Sequence, residues 1–540
     1  MDRSPRKSES QDEGKSGFRR QLGLFDSTML VVGTMIGSGI FVVSASMSRE
    51  LASPGWLMVA WILTGAITII GALCYAELAA MLPHAGGQYV YLREAFSPLW
   101  GYLYGWTVFL VIQTGSIAAV SVVFAKYLGV LVPQLGIDPL AGAVVIYQNT
   151  FAEPLIVSLP LPWLQEPLTI FKRSEFVITA GNLVGVAVTM FLAWVNCVGV
   201  RAGTRVQNIF AIAKTVGLLL LIVVGLTLAA NPDALQANTT EMWGGGTTTK
   251  AFSDAKSMFG FADSVILAMV FGGALVGSLF SADAWNNVTF TAGEMKNPRR
   301  NLALSLTLGT VIVICLYLLV NLGFMASLPV RGDVVAAQEL VAAGDNQGAI
   351  FAGGISGAQD DRVGAAVMAR AWPSFGPQLI AVFVMISTFG CVNGMTLMGA
   401  RLYYAMAQDG LFFKSVGKLN SKGVPAVGLI LQGLFACLLI FSGTYNELLD
   451  YVIFACLLFY SLTVIGLFVL RARQPDAERP YRVIGYPILP AVYVMLCLVI
   501  MVDLLLVKPE FTWPGLIIVL AGIPVYYVWR LVGGAKYTLK

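Results

Sequence analysis

The sequence predicts an all-α integral membrane protein of twelve transmembrane helices, on three observations. Hydrophobic residues make up 57% of the 540 and charged residues 12%, a balance found in chains solvated by lipid. Apolar runs of about 20 residues, the length that crosses ~30 Å of hydrocarbon, centre near residues 35, 68, 113, 187, 217, 275, 314, 390, 433, 460, 497 and 522. Two of these runs, the first and the sixth, are interrupted in mid-span by small and polar residues. Breaks five spans apart are what a five-plus-five inverted repeat produces, with spans eleven and twelve outside it. The expected organisation is a tail over 1–23, a first repeat over 24–230, a second over 261–472 and a closing helix pair over 484–535.

The tail carries Arg3, Arg6, Lys7, Lys15, Arg19 and Arg20 among serines and acids. It has no apolar core, so it reads as disordered and not as a cleavable signal. Short loops rich in Lys and Arg stay on the cytoplasmic side. With both termini inside, the inner segments hold 23 of the 34 basic residues and the outer segments nine. The expected location is therefore the cell membrane, inner or plasma, with many crossings. The net charge of +4 follows from this topology, and no nucleic-acid partner is inferred. All seven cysteines fall in apolar spans, where cysteine acts as a small hydrophobe. Neither a disulfide framework, a metal site nor a cofactor is expected.

Span one carries the first break, Gly33-Thr34-Met35-Ile36-Gly37-Ser38-Gly39-Ile40-Phe41. Backbone opened at membrane depth is tolerated only where protein buries it or a watery cavity lines it, so the break marks a binding site. A half-helix starting near Ile40 would aim N–H groups and a positive dipole end into the gap, suited to a carboxylate, with Ser38 as a further donor. The alternative is a tight packing face, because Gly33 and Gly37 form a small-xxx-small pair. After span two, Glu77 and the run Gly86 to Glu94 read as a scaffolding loop with an Arg–acid pair, and His84 as structural or solvated. The outer loop over about 134–173 contains Leu155 to Trp163, apolar but too short and Pro-broken to cross. It is expected to lie on the protein or the membrane interface. Outer loops over about 231–260 and 329–373 read as extracellular caps. Lys126 ends span three and snorkels, whereas Lys214 lies deep in span five. There it could exchange a proton, or stay charged and bridge interrupted carbonyls in place of a metal cation.

Span six carries the second break, Val276 to Asn287, with the polarity reversed. Its first half would end near Phe280 and Ser281 and present carbonyl oxygens to an ammonium group. Asp283 in mid-span costs at least ~2.5 kcal/mol on insertion scales, so it is expected to face protein or water. Its candidate roles are to bind a substrate amine, to exchange protons, or, as the leading one, to cap the second half of the span. Phe280 and Trp285 flank the break as candidate gates. No phosphate-binding loop and no hydrolytic triad are found, so neither ATP-driven transport nor an enzyme is expected.

Read in order, Ile36 to Phe41, Tyr75-Ala76-Glu77-Leu78, Gly86-Gly87-Gln88-Tyr89, Lys214, Glu294-Met295-Lys296-Asn297-Pro298, Asn393-Gly394, Arg401 to Met406 and Arg479-Pro480-Tyr481-Arg482-Val483 resemble the amino acid, polyamine and organocation (APC) transporter superfamily. Within it the L-type amino acid transporter branch, bacterial type, looks closest, over about residues 20 to 535. The resemblance implies the LeuT-type fold, alternating access and an amino acid substrate. By position, the amides around Ser38, Gly39 and Ile40 would hold the α-carboxylate with Met35 nearby. The carbonyls of Phe280 and Ser281 would hold the α-amine, with Phe280 as proximal gate. Lys214 matches the family lysine that stands where sodium sits in sodium-coupled relatives, with Ser387 on span eight as its hydrogen-bond partner, which implies sodium independence.

Two departures qualify the resemblance. Animal L-type transporters have a small residue where this chain has Asp283, whose Asp-x-Trp setting is similar to bacterial members. The loop after span three also lacks the cysteine through which animal light chains bond a heavy subunit, so no covalent partner is expected. The function read from the sequence is sodium-independent carriage of amino acids, neutral ones first, as exchanger or proton symporter. Cationic amino acid or polyamine transport through Asp283, and a non-transporting amino acid sensor, are the alternatives.

Overall fold

The computed structural model of the protein describes residues 20–159, 168–441 and 445–533, so residues 1–19 of the expected tail lie outside the described residues. The expected tail boundary at residue 23 moves back. Gln21 and Leu22 donate backbone N–H groups to Glu294 O (2.7 and 3.0 Å), and Leu22 O accepts from Lys296 N (2.8 Å). Leu22 is fully packed, which fixes this stretch against the far end of the second broken span.

The first span consists of α1 (Leu24–Met35) and α2 (Gly39–Leu51). Next comes α3 (Pro54–Met81), where Pro54 takes the first position, at which its missing N–H costs nothing, and the Ser53 hydroxyl accepts from Trp56 N (3.4 Å). The short α4 (Gln88–Ala95) leads to α5 (Pro98–Thr107) and α6 (Gln113–Leu131), which form one span through a π-helical turn over Val108–Ile112. After the loop come α7 (Ala180–Val198) and α8 (Val200–Leu226). The sixth span is α11 (Asp263–Ser281) followed by a 3-10 helix over Trp285–Glu294, preceded by the short α9 (Pro232–Thr240) and α10 (Lys250–Phe259). The chain continues with α12 (Pro298–Ser327), the short α13 (Val334–Ala342), α14 (Asn346–Gly353) and α15 (Val363–Ala371), and then α16 (Gly376–Gln408). It closes with α17 (Ala426–Ile440), α18 (Tyr445–Arg473), α19 (Ile488–Val507) and α20 (Pro509–Gly533).

Eleven helical stretches among the described residues are long and apolar enough to cross a membrane, which makes this a multi-pass membrane protein. The span expected near residue 433 is α17, apolar but 15 residues long. That is about 22 Å of helix, short of ~30 Å of hydrocarbon. The all-α expectation fails in one loop. β1 (Val145–Leu159) and β2 (Leu168–Thr179) pair antiparallel, with Val145 opposite Thr179 and Leu159 opposite Leu168. Both strands are rich in β-branched and aromatic residues set among polar ones, the composition of an exposed strand. Leu155 to Leu159 of the expected surface segment belong to β1, and Pro160 to Trp163 lie outside the described residues. The other two long loops fold as short helices.

Helix α1 packs against α12, α8 and α16, while α2 lies on α11 and α3 along α12. The two broken spans thus touch each other and are ringed by unbroken helices. Glu77, fully buried at the end of α3, accepts from Arg471 (2.8 and 2.6 Å) and from Val483 N (2.7 Å). Buried Glu294 pairs with buried Arg401 of α16 (3.1 Å). Arg93 pairs with Asp409 and, at 2.8 Å, with Glu94. Apart from Arg93–Glu94, these pairs join distant segments of the chain, as the scaffolding reading of the Glu77 and Gly86–Glu94 motifs requires.

Candidate substrate-binding site

Helix α1 stops at Met35, Ile36 is extended (φ −72°, ψ 91°), and α2 starts at Gly39, one residue before the expected start. The first-turn amides of α2, at Gly39 and Ile40, have no partner within the helix and aim along its axis into the gap. Gly39 rests on Ser281 of the second break. A Cβ there would lie 2.2 Å from the Ser281 hydroxyl and 2.9 Å from its Cα. This close approach is the structural need for a glycine, and it brings donor and acceptor ends of two broken helices to one place. Thr34, Met35, Ser38, Gly39, Phe280 and Asp283 line the small cavity between them.

Lys214 of α8 is buried and donates from Nζ to Gly33 O (2.7 Å) and Ile36 O (2.6 Å). Two carbonyls freed by the break are thereby held by one lysine nitrogen. Ser387 donates to Gly37 O (2.9 Å) and Ile36 O (3.3 Å). No hydrogen bond joins Ser387 to Lys214. The pair expected from the resemblance meets instead through a shared acceptor, because both donors are drawn to the same unsatisfied backbone.

At the second break, α11 ends at Ser281, and Phe280 O accepts from Asp283 N (3.1 Å). Ala284 sits at φ +64°, in the left-handed region that a Cβ disfavours, and this turn redirects the chain into the 3-10 helix. Two expectations are corrected here. Asp283 does not cap the second half: Ala284 holds the capping position without a side-chain bond. The Asp283 carboxyl instead meets Tyr460 Oη (2.5 Å) and Cys456 Sγ (3.6 Å), both on α18. Trp285 turns away from the cavity, packing edge-on to Tyr75 (4.8 Å between centroids) and tilted against Tyr460 (5.4 Å). Only Phe280 of the two candidate gates borders the cavity.

The family model for amino acid permeases matches residues 22–528. The chain belongs to the amino acid permease family. The permease is 28% identical over 530 residues to the human b(0,+)-type amino acid transporter 1, covering 96% of this chain and 90% of that protein. It is 30% identical over 483 residues to the rabbit transporter of the same name, covering 89% and 82%. With the mouse large neutral amino acids transporter small subunit 2 the identity is 28% over 528 residues, covering 98% and 84%. The permease is thus a transporter and not an enzyme.

Several residues of the site are not legible in the sequence of the permease. Tyr317 of α12 is buried, and its hydroxyl lies 2.8 Å from Met35 O and 3.0 Å from Ser281 O. One hydroxyl proton is shared by the ends of both half-helices. A lone tyrosine in an apolar span gives no signal of this; it could be found only once the two breaks were paired. The π turn before Gln113 is equally silent, yet such turns gather at functional sites. Here it precedes Gln113, which donates to Met395 O (2.7 Å) and accepts from Asn287 (3.3 Å). Tyr317→Phe removes a bond worth about 1–2 kcal/mol when the acceptors stay buried. Substrate kcat/KM is expected to fall roughly tenfold, with folded yield by size-exclusion chromatography unchanged. An unaltered kcat/KM would mean that the bridge is only packing.

Proposed function

We propose that this permease is a sodium-independent secondary carrier of amino acids, neutral ones first, working by alternating access as exchanger or proton symporter. The observation that carries the reading is the contact of Gly39 with Ser281, which sets α2 amides beside α11 carbonyls while Lys214 holds Gly33 O and Ile36 O. An α-amino acid has a carboxylate for the amides and an ammonium for the carbonyls, and each carbonyl keeps a second lone pair beyond its present partner. A fixed ammonium in place of a metal ion removes the need for sodium. The names of the similar transporters support amino acids as substrate class.

The same reading takes the helices as twelve spans in a LeuT-type five-plus-five repeat, 24–230 and 261–472, with 484–535 outside it. Both termini would be cytoplasmic, in the cell membrane. Any companion subunit would be held without a disulfide, since all seven cysteines lie within helices and the long loops have none. Asp283 beside the cavity favours a second reading, in which cationic amino acids or polyamines are carried. The test is uptake of labelled amino acids into proteoliposomes, with and without sodium and with and without internal amino acid. Counterflow that ignores sodium is expected. A strict sodium requirement, or competition by putrescine and arginine but not by leucine and alanine, would overturn the sodium-independent and the neutral reading, respectively.

A further inference from the structure

A one-way chain of hydrogen bonds runs from a backbone carbonyl to Asp283. Its fixed end is Phe459 O on α18, which can only accept. Gln88 Nε2 donates to Phe459 O and to Thr463 Oγ1 (both 3.0 Å), and the Thr463 hydroxyl is itself spent on Phe459 O (2.7 Å). Gln88 is therefore oriented with Oε1 outward, where it accepts from Asn286 Nδ2 (2.8 Å). Turning both amides over would set Gln88 Oε1 against the Phe459 carbonyl, oxygen facing oxygen. Asn286 must then present Oδ1 to Tyr460 Oη, 3.1 Å away. Gln88 is wholly buried, and Asn286 and Thr463 nearly so.

The Tyr460 hydroxyl has one proton and two oxygen neighbours, Asn286 Oδ1 and Asp283 Oδ1. If it donates to Asp283, Asn286 Oδ1 loses this donor and is left to Tyr104 of α5 and the small cavity beside it. If it donates to Asn286, Tyr460 Oη must accept, and the donor on its other side can only be Asp283. These groups also pair within the protein when Asp283 is a carboxylic acid: Oδ1–H donates to Tyr460, and the carboxyl accepts from the Cys456 thiol at Oδ2 and from the Ala284 N–H. No Lys or Arg among the described residues pairs with Asp283. Lys214 spends its charge on Gly33 O and Ile36 O. The titratable groups that face Asp283 are Tyr460 and Cys456 of α18, Tyr104 of α5 and Cys391 of α16, all neutral side chains in their ordinary forms.

We propose that Asp283 is the proton-binding site of the transport cycle, loaded in the arrangement described above and emptied when the site opens to the side of release. This rests on the carrier reading above. On loading, a hydronium ion of the facing solution gives its proton to Asp283 Oδ1 and becomes water. On release the Oδ1–H bond breaks to water, and the Tyr460 proton turns from Asn286 Oδ1 to the carboxylate. A zwitterionic substrate then crosses with one positive charge.

The test uses the full chain in proteoliposomes with a pH dye inside, recording labelled amino acid and proton influx together. One proton is expected per neutral amino acid carried down an imposed amino acid gradient. In Asp283→Asn the proton-to-substrate ratio is expected to fall to zero at whatever uptake rate remains. A second measurement does not depend on transport: in infrared spectra the C=O band of a protonated carboxylic acid is expected in the wild type, lost in Asp283→Asn and weakened in Asn286→Leu, where Tyr460 is free to donate to the carboxylate. Wild-type net uptake without proton movement, or a carboxylic acid band that persists in Asp283→Asn, would overturn the proton site alone. Absence of counterflow would overturn the carrier reading and this inference with it.

Discussion

Replacing Lys214 by alanine is expected to lower uptake by about 100-fold or more while leaving the permease folded. The ammonium gives Gly33 O and Ile36 O their donors at 2.7 and 2.6 Å. Hydrogen bonds from a charged donor are worth about 1.5–3 kcal/mol each, and a factor of ten needs about 1.4 kcal/mol. Losing both leaves buried carbonyls facing each other at the break, so the end of α1 drifts from α8 and the amides at Gly39 and Ile40 lose their aim. Helices α1, α12 and α16 still pack through apolar contacts, which is why folding survives. Initial uptake rates, normalised to protein that elutes as a single species, check this. Wild-type kinetics in Lys214→Ala would remove the lysine from the mechanism.

The second large effect is expected at Gly39. An added methyl group would stand 2.9 Å from Ser281 Cα, a contact with backbone that no rotamer relieves. The two breaks must part by a fraction of an ångström to about 1 Å, and misplacement on that scale can cost about 100-fold. Uptake by Gly39→Ala is expected to fall by that order. Gly37→Ala is the control: its methyl group would meet the Cys391 sulfur at 3.1 Å, a side chain that can yield, so a loss of severalfold at most is expected. Equal losses in the two variants would mean that the Gly39–Ser281 contact has no special part in binding.

Both breaks were visible in the sequence because glycine, serine and aspartate cluster inside apolar runs, and at membrane depth such clusters survive only where protein or water satisfies the backbone they open. Lys214 stood out for a similar reason, as a charge deep in a span. Periodicity and composition, however, cannot say which buried groups face each other, so Tyr317 and Tyr460 read as ordinary span residues, and Gln88 reads as part of a loop motif with no partner assigned. Asp283 shows where local reasoning misled. An acid two residues before a helix suggests a cap, but the left-handed turn at Ala284 points its carboxyl at α18. Trp285 was misplaced by that turn as well. The β1–β2 hairpin is masked in the sequence because its apolar, Pro-broken centre reads first as a segment too short to span, which obscures the strand-like composition on either side.

The central claim is that the paired breaks form a site for the α-amino acid group, carboxylate at α2 and ammonium at α11. Competition measures it most directly: inhibition of labelled uptake in proteoliposomes by the best-transported amino acid, by its amide, which lacks the carboxylate, and by its N-acetyl derivative, which lacks the ammonium. The unmodified amino acid is expected to compete, and each derivative to lose at least about 100-fold in potency, the equivalent of a charged hydrogen bond or two. Competition by either derivative at the potency of the parent would contradict it.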